Sequence, residues 1–293
     1  MLANYEKYLR KPRKITRLNQ GKMRTRAVKG MNDAAIHNHF RDLRILFKAA
    51  MKFYNRPQYG EIKIPYCPFD NFKIVEAPET EMRNTDIQTF KAIRDCRVAP
   101  GSRAELAKEL YVLSVYLCGA NAADIYRWTT DNVVSGRINY NRQKTENRRK
   151  DRAFISINLI EEATPLLYKY LGRLSKRYCS FRGLDRAINE GMKVINRLLG
   201  TKGITFYWAR HTFGNLARNK CRMSTSDVAR ALNHIEQGFK TTDIYLAKDW
   251  DIVDDVQQSV MKLIHESDDR QLRKITSTIN PEKQRKTMRL ITA

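Results

Sequence analysis

The sequence has no long apolar run, no CxxC pair and few acidic residues for its number of bases. No stretch approaches the roughly 18 apolar residues of a bilayer span, so neither a transmembrane segment nor a membrane partner is expected. The first residues, MLANYEKYLRKPRK, carry charge where a signal peptide needs an apolar stretch. The cysteines (Cys67, Cys96, Cys118, Cys179 and Cys221) are odd in number and scattered. That pattern disfavours a disulfide scaffold and a zinc cluster and fits a reducing, cytoplasmic compartment. No Asp/Glu constellation for magnesium stands out, so no metal or cofactor is expected.

What the chain does have is positive charge. Lys and Arg number 55 against 31 Asp and Glu, a formal surplus of +24. Such a surplus repels itself unless a polyanion is near, and nucleic acid is the default partner, ahead of a membrane surface. With 293 residues and 42% apolar content, the chain can bury a sizeable core in about two domains.

Residues 1–30 hold ten bases and one acid, Glu6, which predicts a basic arm or a short helix pair. A helix is predicted next, capped by Asn32. Ile36, Phe40, Leu43, Phe47, Ala50 and Tyr54 form its apolar face. A second stripe on it carries His37, Arg41, Arg44, Lys48 and Lys52. That stripe suits DNA phosphates, and a solvated face is the ordinary alternative. Pro57 and Gly60 end the helix, and Pro65, Pro68 and Pro78 bracket a segment that reads as a linker.

Beyond it the chain reads as mainly helical. Thr85 is a candidate cap, SRAE (102–105) a capping box, and Leu106, Leu110, Leu113 and Leu117 one apolar face. Residues 136–142 and 153–157 alternate and predict two strands joined by a basic turn. Helices are predicted over 160–176, 183–199, 207–219, 225–233 and 251–265, with a polar tail after that. The expected fold is therefore mainly α with a small antiparallel β-sheet. The expected domains are 1–76, 77–265 and a C-terminal tail, 266–293.

Two segments carry candidate chemistry. ITFYWARHTFGNLARN (204–219) places Arg210 and His211 early on a helix, where a guanidinium and backbone N–H groups suit a phosphate. VARALNHIEQGFKTTDIYL (228–246) places His234 at a helix end and Tyr245 after a loop. Taken alone, Tyr245 is more often a packed aromatic and His234 a helix-terminal histidine.

Together these segments resemble the signature boxes of the tyrosine recombinases, the phage integrase family, in particular integrases of conjugative and related mobile elements. ARHTF is similar to the second arginine box. LNH is similar to the family's LGH, with Asn233 for Gly, and TTDIYL to the nucleophile box. LYVLSVYLCGANAADIYRW (110–128) resembles the first box, and NYNRQKT (139–145) the hairpin that delivers a lysine. The likeness spans roughly residues 84–265 in the family's order.

The resemblance implies a helical core-binding domain and an α-helical catalytic domain with a small sheet. The implied reaction is metal-independent cutting and rejoining of double-stranded DNA through a 3′-phosphotyrosyl link. It would integrate or excise a mobile element at the bacterial nucleoid. Tyr245 is then the nucleophile, Arg210 a phosphate clamp, Lys144 the acid for the leaving oxygen, and His234 a hydrogen-bond donor or base. His211 supports the site, and Arg148, Arg149 and Lys150 bind DNA backbone. The family works as a homotetramer on two duplexes, with accessory DNA-bending or directionality factors as further partners.

Three departures bear on this. Asn121 occupies the first arginine's slot, and Cys118 the place to which some relatives move it. Arg142 is the candidate replacement, two residues before Lys144 on a predicted strand and so on the same face; Arg127 is the runner-up. Tyr207 stands where a histidine is common, and it can donate a hydrogen bond but carries no positive charge. His234 and Tyr245 are eleven residues apart, slightly more than is commonest. The rival readings are a recombinase-derived DNA-binding regulator that no longer cuts, and a type IB topoisomerase.

Overall fold

The computed structural model describes residues 1–79, 82–234 and 249–278, with side chains described to Arg270. The fold is mainly α with two small antiparallel sheets. The chain divides into two compact units, residues 1–81 and 82–293.

In the first unit, helix α1 (Leu2–Arg10) is followed by strands β1 (Arg13–Asn19) and β2 (Lys22–Val28), then helix α2 (Asp33–Tyr54). The hairpin replaces the arm or helix pair expected there. Its two-residue turn holds Gln20 at φ 52° and Gly21 at φ 73°. Both central residues are left-handed, as a turn that follows the strand twist requires. Asn32 caps α2 by accepting the Ala35 N–H at 2.9 Å. Ile36 and Phe40 are fully buried, and Leu43 and Phe47 pack beside them. The segment expected to be a linker contributes Phe69, Phe72, Ile74 and Val75 to the same core. The Phe72 ring packs on that of Phe40, tilted by 30° with centroids 5.1 Å apart. The prolines exclude regular structure there, but the aromatic residues between them supply the surface that covers α2. His37 accordingly leaves the basic stripe, its Nδ1 bonded to the Val75 carbonyl at 2.8 Å.

The second unit is built around α4 (Arg103–Tyr116). Its residues from Leu110 to Tyr116 are all buried, so it is enclosed on every side rather than along one face. Around it pack α3 (Ile87–Asp95), α6 (Thr164–Tyr170), α8 (Phe181–Leu198) and α9 (Trp208–Asn215). Ser102 accepts the Glu105 N–H at 3.1 Å, while the Glu105 carboxylate reaches back to the Gly101 N–H at 2.7 Å. The box thus closes one residue earlier than SRAE predicts. Asp86, not Thr85, caps α3. Thr85 is buried, and its hydroxyl lies 2.9 Å from that of Thr212.

After α5 (Ala122–Arg127) come strands β3 (Val133–Val134), β4 (Arg137–Asn141) and β5 (Phe154–Asn158), in the order β3-β4-β5. β4 pairs with β5 from Arg137↔Asn158 to Asn141↔Phe154. A short helix, α7 (Leu174–Arg177), precedes α8. A π-helical turn (Leu216–Lys220) extends α9, and α10 (Thr225–Ala231) follows.

The last helix, α11 (Asp251–Thr278), runs well past residue 265, where a polar tail was expected to begin. Its anchors are polar as well as apolar. Asp254 pairs with Arg137, and Gln257 donates to the Tyr116 carbonyl at 2.7 Å. Asp268 accepts from buried Lys91 and from Arg94, each at 2.8 Å. These ion pairs within the chain hold the segment that composition alone suggests is loose. The Asp268 carboxyl is driven down to about 2, chiefly by its hydrogen bond from Arg94.

Candidate functional site

Arg210 is the third residue of α9 and is buried. Its guanidinium donates to the Gly119 carbonyl at 2.9 Å, to the Leu232 carbonyl, and to His234 Nε2 at 3.1 Å. One side chain therefore joins the turn after α4, the helix carrying ARHTF, and the LNH segment after α10. Gly119 has φ 71°, and a Cβ there would lie 2.9 Å from the Arg210 Cα. The turn CGA is thus where the backbone must come close enough to offer its carbonyl.

Asn233 has φ 51°, a left-handed value that short polar residues tolerate better than most and that a glycine would take freely. Its side chain donates to the Ala153 carbonyl at 2.8 Å and accepts from Arg149 at 2.7 Å. The substitution in LNH therefore ties this segment to the loop after β4. Arg149 also pairs with Asp151 and is half-buried, so its main contacts are within the protein. Arg148 and Lys150 are exposed.

Arg142 and Lys144 lie just past β4, in the turn that follows, rather than on the predicted strand. The Arg142 N–H still continues the ladder, bonding the Ala153 carbonyl at 3.0 Å. The chain then turns as Thr145 and Glu146 donate to the Arg142 carbonyl. Both side chains nevertheless line one open cleft of about 650 Å³, together with Asn121, Asp124, Phe206 and Tyr207. Arg142 is buried, and its Nε has no hydrogen-bond partner among the described residues. A buried donor left unpaired is expensive and calls for an explanation. Arg127 instead faces Glu146 at 3.3 Å and is exposed.

The electrostatics follow from this crowding. Burial and then the Arg142 charge lower the Arg210 pKa to about 10, which leaves it protonated at neutral pH. His234 is lowered to about 4 by burial, then by Arg210, Arg142 and Lys144. It is neutral at pH 7, and its Nε2 accepts from Arg210, which places its proton on Nδ1. His211 is lowered by burial and Arg210, and its ring meets that of Tyr207 edge-on at 4.9 Å. Tyr207 is exposed. Asp124 is buried and accepts the Gln143 N–H at 2.9 Å, and burial raises its pKa. Sequence reasoning missed Asp124, Gly119 and the Leu232 carbonyl. Only the clustering of box residues hinted at them.

Arg210 is thus bonded to His234, and Arg142 and Lys144 lie close enough to lower the His234 pKa while lining the cleft with Tyr207 and Asn121. Tyr245 lies outside the described residues. Arg44, Lys48 and Lys52 are exposed on α2 in the first unit, as is Arg41, which pairs with Asp42. Among the described residues no group of three or more His, Cys, Asp or Glu is placed to hold a metal ion. No described helix is long and apolar enough to cross a membrane. Comparison with protein-family models, curated proteins and solved structures gives no match in any of the three.

Proposed function

We propose that the cleft binds a DNA phosphodiester and that the protein is a tyrosine-type site-specific recombinase. The observation that carries this reading is the convergence of Arg142, Lys144, Arg210 and His234 from three distant stretches of chain. Two buried guanidiniums, both of which lower the His234 pKa and one of which has an unpaired Nε, suit an incoming anion.

In this reading the Tyr245 phenolic oxygen attacks phosphorus, the bond to the 5′ oxygen breaks, and a 3′-phosphotyrosyl link forms. Lys144 donates a proton to the departing 5′ oxygen. His234, neutral in the free protein, accepts the phenol proton or bonds a non-bridging oxygen. The phosphate charge offsets the cations that depress His234 and so raises its basicity. Arg210 and Arg142 hold the non-bridging oxygens as charge shifts in the transition state. Arg142 thereby takes the task that Asn121 cannot perform. A second 5′-hydroxyl reverses the step on a new strand. The homotetramer on two duplexes belongs to this proposal.

The test is a pool of nicked random-sequence duplexes incubated with the full chain, followed by recovery of DNA covalently held by protein. An adduct that disappears in Tyr245→Phe, with DNA affinity retained, is the expected result. DNA binding without any adduct would instead favour the regulator reading, which Asn121 in the first box supports.

A further inference from the structure

The hairpin of β1 and β2 divides its charge by face. In an antiparallel pair, opposed residues project to the same side. The observed register puts Arg13, Ile15, Arg17 and Asn19 beside Val28, Arg26, Arg24 and Lys22. The other face holds Lys14, Thr16, Leu18, Met23, Thr25 and Ala27. Five of the six strand cations therefore share one side, and Arg17, Lys22, Arg24 and Arg26 are exposed there. No acid occurs from residue 7 to residue 32.

This arrangement is unfavourable in isolation. Arg17 stands directly opposite Arg24, and like charges so placed destabilise a strand pair. A two-stranded hairpin is marginal even without that penalty. The ribbon is nonetheless firmly mounted. Arg13 donates to the Leu9 carbonyl at 2.7 Å, and Met31 N–H donates to the same oxygen at 3.0 Å. Both arms are thus fastened to the end of α1, and seven residues per strand project about 20 Å from there.

We infer that this β-ribbon is a second DNA-binding element, which enters the major groove of a duplex with its Arg17–Arg24–Arg26 face leading. A two-stranded ribbon fits that groove, and the phosphates on either rim neutralise the opposed arginines. The inference rests on the DNA reading proposed above but does not use the cleft. The Leu18 and Met23 side chains, exposed at 70% and 68%, lie on the opposite face and take no part.

The test measures binding of the full chain to a short fluorescein-labelled duplex of random sequence, by anisotropy across a salt series. Arg17→Gln/Arg24→Gln/Arg26→Gln should weaken binding. It should also make the slope of log K against log salt shallower by about 1 per lost phosphate contact, so by about 3. Leu18→Ser/Met23→Ser should leave both quantities unchanged. If the wild-type chain binds and the triple variant keeps its slope, the ribbon inference is wrong while the DNA reading stands. If the apolar-face variant alone loses binding or self-association, the ribbon serves a protein contact, which also overturns the inference. If the wild-type chain does not bind the duplex at all, the DNA reading fails and takes the ribbon with it.

Discussion

The cations of the two units live under opposite conditions. On α2 and the hairpin, Arg and Lys side chains stand in water, largely independent of the fold. At the cleft and just behind it, Arg142 and Arg210 are buried, bonded to carbonyls or left with an unpaired nitrogen, and close enough to lower neighbouring pKa values. The same residue types thus stand in two different environments. Exposed charge draws a polyanion from a distance and is screened by salt. Buried charge costs the folded state, and in the proposed reading it is prepared in advance for one anion. A surplus of +24 says nothing about how the two are divided.

The widest separation between the regimes should come from Arg142→Met. It should lower strand cleavage by on the order of 10²–10³, as loss of one oxyanion donor does. Stability should stay level or rise, because a repulsion and an unpaired buried donor are both removed. Denaturant melts beside a cleavage assay would check this, and a marked loss of stability would make Arg142 a structural residue. Arg210→Ala should impair cleavage similarly but also destabilise, since the Gly119 and Leu232 carbonyls lose their donor.

A buried cation that does have a carboxylate gives the contrast. Asp268→Asn leaves Lys91 buried without its ion pair. A loss on the order of 3 kcal/mol is expected from breaking such a pair. Chemical denaturation measures it, and hydrogen exchange should show the end of α11 opening first.

The pH response sharpens the comparison further. His234 falls from the ordinary 6.5 to about 4 in the folded chain. Between those values the unfolded chain binds a proton that the folded one refuses, so stability falls as pH drops through that window. Denaturant midpoints at pH 7 and pH 5 should differ less in His234→Gln than in the wild type. A bound phosphate opposes the depression, so DNA binding in the same window should take up protons, measurable by calorimetry in two buffers. The smallest effect on stability belongs to Lys48→Gln/Lys52→Gln, which should leave the melt within about 0.5 kcal/mol. Its salt slope for DNA should nonetheless become shallower by about 2.

Local signals were read from the sequence where local physics governs. Asn32, the α2 periodicity and the two strands around the basic turn needed only neighbours a few residues away. The hairpin of 13–28 escaped because its faces are sorted by charge rather than by apolarity. Its readable sign was Gln20-Gly21 midway between Thr16 and Thr25. Thr85 had the right chemistry for a cap, but burial against Thr212 claimed its hydroxyl. The strand expected to carry Lys144 ends at Asn141, because the Arg142 carbonyl starts a turn. Arg142 and Lys144 reach one cleft all the same, through the loop rather than through strand alternation.

The sequence by itself determined the helical majority, the strong positive charge and which Arg, His and Lys residues stand in suggestive company. These follow from periodicity, composition and spacing, which any short window contains. Only the tertiary structure decided that Arg210 spans Gly119, Leu232 and His234, that Arg142 is buried beside it, and that α11 is held by Lys91 and Arg94. Burial and pairing depend on groups as far apart in sequence as Lys91 and Asp268, and those distances are set by packing the whole core rather than by any local preference.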